Sequence, residues 1–96
     1  LTKSMAMELG DYGVRVNAIC PGAVSGPRME KVLSIESDAS GLTQDELRKV
    51  YSEGTSMRSF VSEGDVADMA VFLASDKASM ITGQAIAVDG YTERTV

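Results

Sequence analysis

The sequence predicts an α/β fold, the C-terminal part of a doubly wound parallel sheet with two strands and three to four helices. Three observations carry that reading. The apolar run from Val14 to Cys20 stops at Pro21-Gly22, and the run from Gln84 to Val88 stops at Asp89-Gly90, as buried strands do where they leave a sheet. The segments before and between these runs have helical periodicity, and strands separated by helices belong to a parallel sheet with right-handed crossovers. Two strands cannot cover the apolar faces of three or four helices, so the rest of the sheet is expected to lie outside these 96 residues.

Leu1, Met5 and Leu9 recur at i, i+4 and i+8 with Ala6 beside them, which predicts an amphipathic helix over 1–9. Leu1 already falls inside that pattern, with no initiator Met and no N-cap ahead of it, so the chain is expected to begin within an element. Gly10 is the expected left-handed cap, and Gly10 to Gly13 the turn into the first strand. After that strand, Met29, Val32 and Leu33 predict a short helix, broken by the polar run Ser37 to Gly41. Thr43-Gln44-Asp45-Glu46 fits a capping box, with Leu47, Val50 and Tyr51 as the apolar face and Gly54 as the stop. Ser62-Glu63-Gly64-Asp65 starts a further helix, its acidic groups favoured by the helix dipole. Val66, Ala70, Leu73 and Ala74 form one face of it, widened by Met69 and Phe72.

Composition narrows the chemistry. A hydrophobic content of 44% with 24% charged residues is that of an ordinary globular domain. With a net charge of −5 and nine scattered basic residues there is no basic stripe, so neither nucleic acid nor a membrane surface is expected as partner. No segment approaches the roughly 18 continuous apolar residues of a membrane helix. A single Cys and no secretory signal point to a cytoplasmic setting. The chain contains no His, so Ser-His-Asp or Cys-His nucleophiles and imidazole metal sites are excluded from it.

In an open α/β sheet ligands bind beyond the carboxyl ends of the strands, so the segment after Pro21-Gly22, from Gly22 to Arg28, is the first candidate site. Other conspicuous residues have plainer readings. Cys20, without an activating base, is expected to be a small buried hydrophobe. Asn17 within the apolar run should find a structural hydrogen-bond partner. Arg28 suits an anionic ligand group or a solvated helix start equally well. Asp65 reads as a first-turn dipole residue, and the six Met residues as core or interface filler.

Five blocks then stand in a distinctive order: Leu1-Thr2-Lys3-Ser4-Met5-Ala6-Met7-Glu8-Leu9; Val14 to Gly22; Asp65-Val66-Ala67 with Phe72-Leu73-Ala74-Ser75; Ile81-Thr82-Gly83-Gln84; and Val88-Asp89-Gly90. Together they resemble the C-terminal half of a short-chain dehydrogenase/reductase, in particular members similar to 3-oxoacyl-carrier-protein reductases. The resemblance implies a Rossmann-type sheet that binds NAD or NADP and an enzyme that transfers hydride between the cofactor and a carbonyl or alcohol. The family's Tyr-x-x-x-Lys pair would lie upstream of Leu1. Tyr12, Tyr51 and Tyr91 have no Lys four residues on, and there is no G-x-G-x-x-G, so no catalytic residue and no metal ligand is assigned here and the 96 residues alone are expected to be inactive.

What the resemblance does assign is a cofactor wall of Pro21, Gly22, Ala23, Val24, Ser25 and Gly26. The amide and carbonyl of Val24 would hold the nicotinamide carboxamide. Many relatives have Thr where this chain has Gly26, and Ser25 offers a hydroxyl one residue early; a second Gly is common where Tyr91 follows Asp89-Gly90. Residues 1–96 would form the C-terminal segment of one NAD(P)-binding domain, with 28–60 as a substrate lid. A homodimer or homotetramer is implied, built through the helix over 1–9 and the helix over 63–74 with the last strand. The alternative is a non-catalytic fragment or interaction module of the same fold.

Overall fold

The computed structural model describes residues 1–92 and contains a two-stranded parallel sheet with four α-helices. The first strand, β1 (Ala18–Pro21), pairs with β2 (Ala85–Val88) in the register Ala18↔Ala85, Ile19↔Ile86, Cys20↔Ala87 and Pro21↔Val88. Only the last part of the first apolar run is strand. Val14 to Asn17 is the approach to it, and its polar groups serve the structure around it.

Asn17 fastens the entry of the sheet. Its Nδ2 donates to the Ile81 carbonyl at 2.9 Å and its Oδ1 accepts from the Gln84 amide at 3.1 Å. Backbone bonds from Gly83 to the Val16 carbonyl (2.7 Å) and from Ala18 to the Gln84 carbonyl (2.8 Å) continue the pairing on either side. The structural role expected of Asn17 is therefore met. At the exit, the Gly22 amide donates to the Val88 carbonyl at 3.1 Å, and a Cβ built on Gly22 would lie 2.7 Å from the Cβ of Asp89 and 2.9 Å from its Cα. The Pro-Gly turn is thus a strand stop whose second residue must lack a side chain for the two strand ends to approach.

Helix α1 (Thr2–Leu9) runs into a 3-10 turn over Gly10–Tyr12. The left-handed residue is Gly13, at φ +72°, while Gly10 stays right-handed at φ −57°. The expectation for Gly10 is corrected by the bonds that follow: Gly13 donates to the Gly10 carbonyl and Val14 to the Leu9 carbonyl, so the chain stays coiled until the second glycine. Helix α2 (Pro27–Ser40) is longer than the sequence pattern suggested. The polar run does not break it, because Ser40 Oγ donates to the Glu36 carbonyl at 2.7 Å within the helix; Gly41, at φ +78°, ends it.

The capping box expected at Thr43 is present, and the helix start at Ser62, read from sequence as acidic groups on the helix dipole, is a second one. Thr43 and Glu46 exchange backbone and side-chain bonds at the start of α3 (Gln44–Glu53), and Ser62 and Asp65 do so at the start of α4 (Glu63–Ala74). The Ser62 backbone amide, with help from its hydroxyl, holds the Asp65 carboxyl below its ordinary pKa. At the other end of α4 the Arg15 guanidinium donates to the Leu73 carbonyl and, at 3.3 Å, to that of Ser75, a cation placed on the negative end of the helix.

Helix α4 lies over one face of the sheet, where Arg15, Asn17 and Ile19 share a hollow with Ala70, Leu73 and Ala74. Side chains alternate along a strand, so Cys20 points to the opposite face and is exposed, as are its neighbours Ala85 and Ala87 across the pairing. The reading of Cys20 as a buried hydrophobe is corrected for the described residues: nothing among them covers that face.

The buried apolar side chains form two small groups. Leu33 of α2 and Leu47 of α3 are buried where the two helices pack, and the pair is tied by Arg48 to Glu30 and by the Tyr51 hydroxyl to Glu36 at 2.7 Å. Ala6, Val61, Leu73 and Ala78 are buried outside that helix pair. The radius of gyration is 16.8 Å over extents of 54 × 23 × 23 Å, against about 12.5 Å for a compact domain of this length. Separated small cores and an elongated outline fit the expected architecture, part of a Rossmann fold.

Three substitutions test the account of the sheet in the full-length protein. Asn17→Ala leaves the Ile81 carbonyl and Gln84 amide without their partner and should cost about 1–3 kcal/mol in denaturant unfolding. Gly22→Ala should cost a similar amount, about 1–3 kcal/mol, by forcing Asp89 away. Gly64→Ala, inside α4 and 3.7 Å from its nearest neighbour, should be neutral or stabilising by about 0.4–1 kcal/mol. Equal stabilities for the Gly22 and Gly64 variants would refute the close approach.

Candidate functional site

The segment after β1 is held in place by one buried residue of the chain's second half. Val24 and Val61 form a parallel bridge in which both hydrogen bonds belong to Val61: its amide donates to the Ala23 carbonyl at 2.9 Å, and its carbonyl accepts from the Ser25 amide at 2.8 Å. The Ser25 hydroxyl adds a longer bond to the same carbonyl at 3.3 Å. In a parallel bridge of this kind the residue opposite turns its own amide and carbonyl to the other edge. That residue is Val24, and no hydrogen bond among the described residues engages either group.

Beside this edge lies a hollow of about 440 Å³, walled by Pro21, Gly22, Val24, Ser25 and Gly26, by Pro27, Arg28, Met29 and Val32 of α2, and by Glu63 at the start of α4. Five of the six residues expected at the site thus come together on it. Ala23 does not: its carbonyl is taken by Val61, and it faces a smaller hollow of about 290 Å³ shared with Met29, Tyr51 and Thr55. Ser25 is present on the wall with its hydroxyl directed at the Val61 carbonyl.

Gly26 has the most demanding backbone in the segment. It is the N-cap of α2 at φ +146° and ψ −174°, a conformation open to glycine and strained for residues with a Cβ. A Cβ there would also collide with Glu63 Oε1 and lie 3.3 Å from its Cδ. The missing side chain at 26 and the carboxylate of Glu63 are therefore two sides of one arrangement. Glu63, Met29 and Val32 are wall residues that sequence reasoning did not single out as such. The only trace of Glu63 in the sequence was its place in a helix start, which says nothing about a loop 37 residues earlier.

A second hollow, about 500 Å³, opens at the end of β2 between Phe60, Val61 and Asp65 on one side and Val88, Asp89 and Tyr91 on the other. It holds none of the residues expected at the site. Backbone bonds from Ser56 to the Tyr91 carbonyl and from Met57 to the Gly90 carbonyl frame it. Among the described residues no group of three or more Cys, Asp or Glu side chains is arranged to hold a metal, and no helix is long and apolar enough to cross a membrane.

Comparison with known proteins places this geometry. A family model described as enoyl-(acyl carrier protein) reductase matches residues 1–92. The chain is 37% identical over 91 residues to D-beta-hydroxybutyrate dehydrogenase of Rhizobium meliloti, covering 94% of this chain and 35% of that protein. The crystal structure of a short chain dehydrogenase family protein from Francisella tularensis superposes with a TM-score of 0.88 at 31% identity, over 93% of this chain and 37% of that one. L-sorbose reductase from Gluconobacter frateurii, solved with NADPH and L-sorbose, does so with a TM-score of 0.85 at 28% identity, over 99% and 36%. The chain thus spans about a third of the length of the relatives it matches. On the family match, the identity and the blocks that carry both, the chain belongs to the short-chain dehydrogenase/reductase family.

Proposed function

We propose that the full-length protein is an NAD- or NADP-dependent oxidoreductase acting on a small carbonyl or alcohol substrate in the cytoplasm. In this reading residues 1–96 are the C-terminal segment of its NAD(P)-binding domain, residues 21–26 form the wall beside the nicotinamide, and residues 28–60 form the substrate lid. The observation that carries the reading is the state of Val24: a donor and an acceptor on one backbone residue, both unengaged among the described residues, at the edge of a hollow whose other walls are largely apolar. A carboxamide needs one donor and one acceptor side by side, and an apolar surround suits the ring that bears it. The cofactor when bound supplies the hydride chemistry.

This chain's part is orientation. Val61 immobilises Ala23 and Ser25, which leaves the peptide groups of Val24 at a fixed direction before anything binds, and preorganisation of that kind lowers the ordering cost of binding. The helices of the lid region, α2 and α3, are joined by Leu33 and Leu47, by Arg48 with Glu30 and by Tyr51 with Glu36. Met29 and Val32 carry the α2 side of that unit onto the hollow.

Backbone recognition can be tested directly. Val24→Pro removes the amide donor without removing a hydrogen bond of the described fold, and should weaken NAD(P) binding to the full-length protein about tenfold. Val24→Ala should change it little. Calorimetric titration that finds the Pro variant equal to wild type would rule the contact out.

We also propose that the protein is a homodimer or homotetramer. Helix α4 leaves Val71 69% and Phe72 39% exposed while Leu73 is buried, so its apolar surface extends beyond the face turned to the sheet. Phe72→Glu should dissociate the assembly into folded subunits. Sedimentation showing an unchanged mass would remove Phe72 from the interface, and loss of the cooperative thermal transition would place it in the subunit core instead.

A further inference from the structure

The wall described above has one charged acceptor aimed into it. Among the side chains around the 440 Å³ hollow, Pro21, Val24, Pro27, Met29 and Val32 are apolar; the polar ones are Ser25, Arg28 and Glu63. Ser25 uses its hydroxyl on the Val61 carbonyl. Arg28 offers only donors; it is exposed on the first turn of α2 and forms no ion pair among the described residues. Glu63 alone brings a charged acceptor, and its carboxylate stands in the place a side chain on residue 26 would fill.

Its position has a local cause. Gly26 caps the 14-residue α2 without a side-chain bond, and Pro27 has no amide to satisfy, so only the next amides of the first turn lack a capping side chain. The Glu63 carboxylate, rooted on the neighbouring helix start, stands beside that cap, and glycine at 26 is what leaves room for it.

We propose that Glu63 is a cofactor-contacting residue of this wall, that it accepts a hydrogen bond from the carboxamide NH₂, and that its charge favours the oxidised, cationic nicotinamide over the reduced, neutral one. The inference rests on the reading of residues 21–26 as the nicotinamide wall. The consequence is a cofactor site biased towards holding the oxidised form.

The test is equilibrium binding of the oxidised and the reduced dinucleotide, measured separately on the full-length protein. Glu63→Gln keeps an acceptor oxygen and removes the charge. It should weaken the oxidised form about three- to fivefold, the range of a partly exposed charge pair, and leave the reduced form within about twofold. Glu63→Ala removes acceptor and charge and should weaken both forms. In wild type, raised salt should narrow the gap between the two affinities. An unchanged ratio of affinities in Glu63→Gln, with or without a lowered thermal transition, would overturn the proposal and leave Glu63 a helix-start residue. Val24→Pro measured alongside separates the two readings: weakened binding there with no Glu63 effect retains the wall and rejects the carboxylate, while normal binding by Val24→Pro rejects both.

Discussion

The structure depends on the short parallel pairing of β1 with β2, four residue pairs long and fastened at each end by a different device. At the entry the amide side chain of Asn17 ties the approach of β1 to that of β2, donating to Ile81 and accepting from Gln84. At the exit the absence of a side chain on Gly22 lets the turn close onto Asp89. A slip of β1 by one residue would turn Ile19 away from α4 and put Ala18 or Cys20 in its place, and a slip of β2 would replace Ile86 by Ala85 or Ala87. The fastening therefore decides which face α4 covers, and with it the direction in which the chain leaves the sheet.

From that exit the rest follows by short steps. Gly22 releases the chain beside β2, Val61 catches the next residues through Ala23 and Ser25, and Gly26 turns it into α2. Val61 is buried and lies one residue before the capping box of α4, so the helix start and the loop share an anchor. The returning segment at 55–57 is bonded in turn to Gly90 and Tyr91, just beyond β2. Both hollows thus lie at the carboxyl end of the sheet, one beyond each strand, where an open α/β sheet places its ligands.

Features that depend on a few neighbouring residues were legible in the sequence. Thr43 with Glu46 forms the box its spacing announces, because the partners are three residues apart and need nothing from elsewhere; Ser62 with Asp65 forms a second at a helix start that was legible only by its acidic first turn. The two strand ends were legible for the same reason. Gly10 and the run from Ser37 to Gly41 were misread because a glycine or a serine permits a break without requiring one: a second glycine three residues on took the left-handed role in one case, and the Ser40 hydroxyl bonded to its own helix in the other. Cys20 was misread at a different level. Its exposure reflects what lies across that face of the sheet, which is information about packing and not about the residues beside it.

The hollow shows the same division at finer grain. That Pro21-Gly22 would open onto it follows from strand and turn chemistry alone. That Val24 would be the residue whose amide and carbonyl find no partner among the described residues depends on Val61, 37 positions away, meeting it in one parity of the bridge; the opposite parity would offer the groups of Ala23 and Ser25 instead. Glu63 depends on the same meeting, since it follows Val61 by two residues and is carried to Gly26 with it. One backbone bridge therefore sets both the uncharged pair of groups on the wall and the charge beside them. A substitution that disturbed Val61 would shift the two together, so changes at Val24 and at Glu63 themselves are what can separate recognition by shape from recognition by charge.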